Sequence, residues 1–201
     1  MKIHKIQPLG FAANSYLVTK DNKTAIAIDP AQPRISDEAK KRGLQVKYVL
    51  LTHGHFDHIG GVSALQKAGA KVGCLTKEKE LVLGKDNMAE AFGEPVAPFT
   101  IDFTFDDGEE LSLCGVDFRV IATAGHTAGS CCFLSEDFLF TGDTLFRESV
   151  GRTDLPTGNA GELQKSLKRL AALDDRCVVY AGHGTISTLF HEKQCNGYLK
   201  V

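Results

Sequence analysis

Residues 53 to 58 read His53-Gly54-His55-Phe56-Asp57-His58, three imidazoles and a carboxylate in one short stretch. Side chains alternate in an extended segment, so His53, His55 and Asp57 can point to one side while His58 points away. One loop can then serve two metal ions. Neutral imidazole and carboxylate suit Zn²⁺ or a similar first-row ion, and a two-metal site needs its ions roughly 3.5–4 Å apart. The competing reading is a surface histidine patch with Asp57 as a helix N-cap, and four ligand-type groups together weigh against it.

The apolar run Tyr48 to Thr52 leads into this loop, and the pattern recurs three times. Phe118 to Ala124 ends in Gly125-His126, Phe138 to Thr141 in Gly142-Asp143, and Cys177 to Ala181 in Gly182-His183. Strand ends on one edge of a layered sheet converge on a common rim, where α/β architectures place their sites. Taken singly, His126 and His183 read as core histidines bonded to backbone, and Asp143 as a turn residue. Four such ends, one carrying His-x-His-x-Asp-His, make a joint signal for a metal centre.

The elements that must position these groups follow from periodicity. Lys2 to Ile6, Asn14 to Thr19 and Thr24 to Asp29 are expected strands, and Pro33 suits the first turn of a helix ending before Gly43. Val46 to Thr52 is apolar on both faces, the pattern of a strand buried inside a layered α/β domain. Val62, Leu65 and Ala68 have helical spacing closed by Gly69. Lys77 to Leu83 and Asp86 to Phe92 are expected as two short helices, the second with Asn87 and Glu90 at capping-box spacing. From Phe103 to Thr123 the period is two, expected as a β-meander turning at Asp107-Gly108 and Cys114-Gly115. Strands over Ser130 to Leu134 and Phe138 to Thr141 follow. Next come a helix capped by Asn159, with Leu163, Leu167 and Leu170 on one face, a strand over Cys177 to Ala181, and a short helix over Thr188 to Lys193.

At 201 residues and 43% hydrophobic, the chain can bury a full core, and residues 1–201 are expected to form one domain. A net charge of −2 argues against binding nucleic acid through phosphate contacts. The first residues lack the apolar segment of a secretory signal and no run reaches membrane-spanning length, so a cytoplasmic protein with no membrane partner is expected. The six cysteines form no Cys-x-x-Cys and are expected to be reduced and structural.

In its seven ligand-type residues, His53, His55, Asp57, His58, His126, Asp143 and His183, the chain resembles the metallo-β-lactamase superfamily over essentially its full length. The resemblance implies an α/β fold, a four-layer αββα sandwich, with a dinuclear site on one edge. His53, His55 and His126 would hold one divalent ion and Asp57, His58 and His183 the other, with Asp143 bridging and a water or hydroxide between them. The ions would be Zn, with Fe or Mn as alternatives. Two such cations, two carboxylates and one hydroxide leave one net positive charge to polarise a carbonyl. Metallo-β-lactamases proper usually carry Cys at the position of Asp143, which argues against antibiotic hydrolysis.

Gly125-His126-Thr127-Ala128-Gly129-Ser130, Gly142-Asp143-Thr144-Leu145-Phe146 and Gly182-His183-Gly184 look most like glyoxalase II, the hydroxyacylglutathione thioesterase, with Ala128 where that family usually has Pro. Only 18 residues follow His183, so the likeness is to short, single-domain glyoxalase II-like hydrolases. Thioester hydrolysis is therefore the expected activity on a small-molecule substrate, with Asp57 orienting the nucleophile and Asp143 as the second catalytic carboxylate. Gly151-Arg152-Thr153-Asp154 is shared with persulfide dioxygenases, which makes a mononuclear-iron oxidative enzyme on His53, His126 and Asp143 the alternative. A non-catalytic metal-binding module is a third reading. Arg147 and Arg152 are candidates for a substrate carboxylate, although Arg152 and Asp154 can equally pair to stiffen their loop. Tyr16, Phe56 and Phe146 are candidate pocket aromatics.

Overall fold

The computed structural model describes residues 1–200. Aliphatic and β-branched runs build two six-stranded sheets. The first contains β1 (Lys2–Ile6), β2 (Ser15–Thr19), β3 (Thr24–Ile28), β4 (Gln45–Leu51), β5 (Lys71–Leu75) and β6 (Phe103–Phe105), side by side in that order. Its first three strands are antiparallel and β3 to β6 are parallel. Parallel neighbours need crossovers, and helices supply them. These are α1 (Ile35–Lys41) before β4, α2 (Phe56–Ile59) and α3 (Val62–Lys67) before β5, and α4 (Lys79–Leu83) and α5 (Ala89–Phe92) before β6.

The second sheet begins with the meander β7 (Glu110–Leu113), β8 (Val116–Ala122), β9 (Cys131–Ser135) and β10 (Phe138–Gly142). A two-stranded ribbon, β11 (Leu145–Phe146) with β12 (Ser149–Val150), and helix α6 (Ala160–Ala171) follow. The chain then returns as β13 (Val178–Ala181), parallel to β10, with β14 (Ser187–Thr188) at the edge and α7 (Leu189–Cys195) last.

Three buried layers make the four-layer αββα sandwich. Ile26, Leu50 and Phe105 of the first sheet meet Phe118, Phe133 and Phe140 of the second. Ile35, Val62 and Leu65 cover the outer face of the first sheet against Val49, Leu51 and Val72. Leu163, Leu167 and Leu170 of α6 cover the second against Ile121, Leu139 and Val179. β4 is buried on both faces, as its doubly apolar pattern requires.

Several expectations about the elements need correction. Phe103–Phe105 is not part of the meander: it pairs in parallel with β5, and the Asp107-Gly108 turn carries the chain from one sheet to the other. Phe105 packs on Phe133 of the second sheet, with centroids 5.6 Å apart, so its side-chain period is the same whichever sheet owns the backbone. Asp86 to Phe92 is not one helix either. It breaks at Met88, whose φ of +68° lies in the left-handed region, and Asn87 accepts from the N–H of Ala89 (2.9 Å) rather than from Glu90. Strands β5, β11, β12 and β14 had no expectation, and Pro33 lies just ahead of α1 instead of inside it. All six cysteines are free thiols, and only Cys195 is exposed. Among the described residues no helix is long and apolar enough to cross a membrane.

Candidate metal centre

The C-terminal ends of β4, β8, β10 and β13 meet where the two sheets touch, joined by the hydrogen bond from the Cys131 N–H to the Thr52 carbonyl (2.8 Å). β4 delivers His53 and His55, and α2 begins at once with Phe56, so Asp57 and His58 face back across the rim. The loop after β8 carries His126, β10 ends in Gly142-Asp143, and β13 in Gly182-His183. Gly142 has φ +48°, and a Cβ there would run into the Thr52 side chain; a Cβ at Gly182 would meet Asp143 and His58. Glycine is thus required at both ends for the two sheets to approach this closely.

All seven sequence-picked residues are brought together. The Nδ1 of His55 lies 2.9 Å from the Nε2 of His126, and His53 completes that group. The Nε2 of His183 lies 3.1 Å from Oδ2 of Asp57, and His58 completes a second. Asp143 sits between them, 3.2 Å from His58 Nε2 and 3.6 Å from the Nε2 atoms of both His126 and His183. Four buried atoms, Nε2 of His53, His55 and His58 and Oδ1 of Asp143, have no hydrogen-bond partner. The short His58–Asp143 approach lacks hydrogen-bond geometry, which is why both of its atoms are in that set. Buried polar atoms without partners are costly, and lone pairs converging in two adjacent groups are what cations satisfy.

The protonation pattern fits this chemistry at His53 and His55, whereas an ion at His58 would have to displace a proton. Burial, then the neighbouring charges of His58 and His126, hold His53 well below the usual imidazole range, and burial with His126 lowers His55 to about 4. Both rings are therefore neutral donors of lone pairs. Burial opposes charge on His58, but the carboxylates of Asp143 and Asp57 outweigh it and raise that ring well above the ordinary value. Burial likewise opposes ionisation of Asp57 and Asp143, and the surrounding imidazoles more than offset it, so both are held low.

A further layer, absent from the sequence reading, fixes the rings. Asp29, with φ +46° at the end of β3, accepts from the N–H and Oγ1 of Thr52 (2.8 and 2.6 Å) and lies 3.0 Å from Nδ1 of His58. Thr52 Oγ1 in turn lies 3.2 Å from Nδ1 of His53. Asp29, His53 and His58 also form a group with ligand spacing, but the Asp29 carboxylate is already committed to Thr52 and the outer face of His58, which makes it a holder of ligands. The Arg152 carbonyl lies 2.7 Å from Nδ1 of His126. Behind the 53–55 turn, buried Glu78 accepts from the N–H of Gly54 (3.0 Å) and binds the Gly129 N–H and the Thr127 hydroxyl. Asp29 left a signal, since like Asp143 it is an acid ending an apolar strand; Glu78, a lone acid in a helical stretch, left none.

A cavity of about 580 Å³ opens over the centre, reaching His55, Asp57, His126, Asp143 and His183. Phe56 and Phe146 line it as expected. Tyr16 does not: it is buried and donates to the Ala181 carbonyl (2.6 Å), bracing the His183 turn from below. Arg152 reaches the wall with its guanidinium bound in two hydrogen bonds to Asp154 (2.6 and 2.7 Å), the stiffening pair. Arg147 is outside the lining, beside Glu148 at 3.6 Å.

The metallo-beta-lactamase superfamily model matches residues 9–183. The hydroxyacylglutathione hydrolase GloC of Haemophilus influenzae is 36% identical over 99% of this chain and 98% of its own length. Among solved structures, the BLEG-1 B3 metallo-beta-lactamase superposes with a TM-score of 0.94 at 31% identity, covering all of both chains. TTHA1623 in a di-iron-bound form gives 0.87 at 34% identity over 98% of this chain and all of its own.

Proposed function

The chain belongs to the metallo-β-lactamase superfamily of metallo-hydrolases, and from that premise we propose that it is a thioester hydrolase using two divalent ions. His53, His55 and His126 would hold one ion, Asp57, His58 and His183 the other, and Asp143 lies where it reaches both groups. Bound there, the ions supply an activated water and a Lewis acid for the developing oxyanion.

The cavity wall carries the choice of substrate bond. Outside the seven clustered residues it contains no Lys, Tyr, Cys, Ser, Thr or Glu among the described residues, and its one Arg is committed to Asp154. No side chain stands ready to protonate a leaving amine. A thiolate, with a conjugate-acid pKa of roughly 8.5, departs without that help, and an amide nitrogen does not. Asp57 keeps Oδ2 beside His183, which leaves Oδ1 to accept a hydrogen bond from the attacking water and aim its lone pair at the acyl carbon. Water adds at that carbon, the C–S bond breaks with its electron pair on sulfur, and the products are a carboxylate, a thiol and one proton. The name of the Haemophilus relative supports the same class.

The test is a thioester panel that includes S-lactoylglutathione, run with a metal count on the purified protein. Two ions per chain, with hydrolysis of at least one thioester that His53→Ala abolishes, is the expected result. A single iron with oxygen uptake on glutathione persulfide overturns it in favour of a dioxygenase.

A further inference from the structure

Glutathione carries two carboxylates, and a cavity built to hold it should offer cations. This one offers aromatic and aliphatic side chains. Phe11, Phe56, Met88, Phe92, Phe146 and Leu155 form its wall beyond the clustered residues, with Phe56 stacked on Phe92 at 5.1 Å. Phe11 and Phe92 stand at the mouth with 77% and 52% of their surface in water. A second cavity of about 450 Å³ shares Phe11, Phe56 and Asp57 with the first, and its other charged residue is Glu94. Across both cavities the one cationic side chain among the described residues is Arg152, whose fork is filled by Asp154. A carboxylate settling on this wall would lose water and meet no free cationic side chain, whereas an apolar group would cover two exposed phenylalanines.

We propose that this site takes thioesters whose thiol portion is apolar and uncharged, an arylalkyl or alkyl chain lying between Phe11 and Phe92, and turns over glutathione thioesters more slowly. The proposal rests on the thioesterase reading. The reaction is unchanged, water cleaving the acyl C–S bond to give a carboxylate, an apolar thiol and one proton.

The metal-loaded protein is compared on two substrates with the same acyl group, S-lactoylglutathione and the lactoyl thioester of 4-phenylbutanethiol. The phenylbutyl ester should have the higher kcat/KM by about tenfold or more, with roughly fourfold for each methylene buried along an alkyl series. Phe11→Ala and Phe92→Ala should lower kcat/KM for the apolar ester by a several-fold larger factor than for S-lactoylglutathione. Asp154→Asn, which frees the Arg152 fork, should improve the glutathione ester alone. Equal or faster turnover of S-lactoylglutathione by the wild type overturns the proposal and leaves the thioesterase reading standing. If neither ester is cleaved, the thioesterase reading falls, and calorimetry with the inert amide N-(4-phenylbutyl)lactamide decides the apolar site. Binding weakened by Phe11→Ala and Phe92→Ala upholds it, and no binding overturns it.

Discussion

Asp29 and Glu78 hold the clustered residues from behind, and each lends itself to a measurement. With Asp29 committed to Thr52 and to Nδ1 of His58, the His58 ring is turned so that Nε2 faces the cluster. Removing such a partner typically weakens metal binding by about 10- to 100-fold. Asp29→Asn should show that loss in competition with a chromophoric chelator, and unchanged affinity would mean the ring is set by packing alone. Glu78 differs, because burial lifts its carboxyl from 4.5 to about 7 against the pull of the Thr127 hydroxyl and the Gly54 and Gly129 N–H groups. Between those values the folded protein binds more protons than the unfolded chain, so stability present below pH 4.5 is lost as pH rises through 7, on the order of 3 kcal/mol in full. In metal-free protein the Tm advantage of wild type over Glu78→Gln should therefore shrink from pH 5 to pH 8; a constant difference contradicts this. The seven clustered residues could be picked out in the sequence because imidazoles and carboxylates gathered at strand ends, four of them directly after glycine, have few packing reasons to be there. Glu78 could not, since a buried acid betrays itself only through the backbone it reaches, and that backbone is 24 residues away at Gly54.

Helix α6 shows what local pattern can and cannot reveal about the elements. Its capping box was legible, and Asn159 Oδ1 does accept from the N–H of Glu162 at 3.0 Å. Its task was not: the Asn159 N–H donates to the Gly125 carbonyl and Ser166 to the Ala124 carbonyl (2.8 and 2.7 Å), clamping the turn that presents His126. Losing the cap should cost about 1 kcal/mol, which in a chain of this size is roughly 2–4 °C in Tm. Asn159→Ala should show that decrease in thermal unfolding, with Glu162→Ala, which leaves the acceptor in place, as the control. Equal Tm values for both variants would deny the cap its role. Phe103–Phe105 marks the limit of such reading. Alternation reports which residues face inward, and in a sandwich both sheets face the same interior, so pairing with β5 instead of β7 leaves no trace in period.

Taken as a whole, the molecule gathers its cluster from both sheets, His53, His55, Asp57 and His58 from the first and His126, Asp143 and His183 from the second. The four partnerless polar atoms lie at that junction, where they work against burying it. Ions bound there would satisfy three of them, Nε2 of His53 and of His58 and Oδ1 of Asp143, and tie one sheet to the other, and the unfolded chain, with these residues up to 130 positions apart, has no comparable site. Binding to the folded state alone stabilises by about 2.7 kcal/mol at a free ion concentration a hundred times Kd, which for about 200 residues raises Tm by roughly 5–11 °C. Stripping the protein with a chelator should lower Tm by that amount, and Zn²⁺ titrated back should restore it with continuing dependence on concentration. In His53→Ala this dependence should weaken without vanishing, because one group loses a ligand while the other keeps its three. A wild-type Tm indifferent to chelator and to added Zn²⁺, Mn²⁺ or Fe²⁺ alike would mean that the converging lone pairs are satisfied by protons and water, and the hydrolytic reading would lose its foundation.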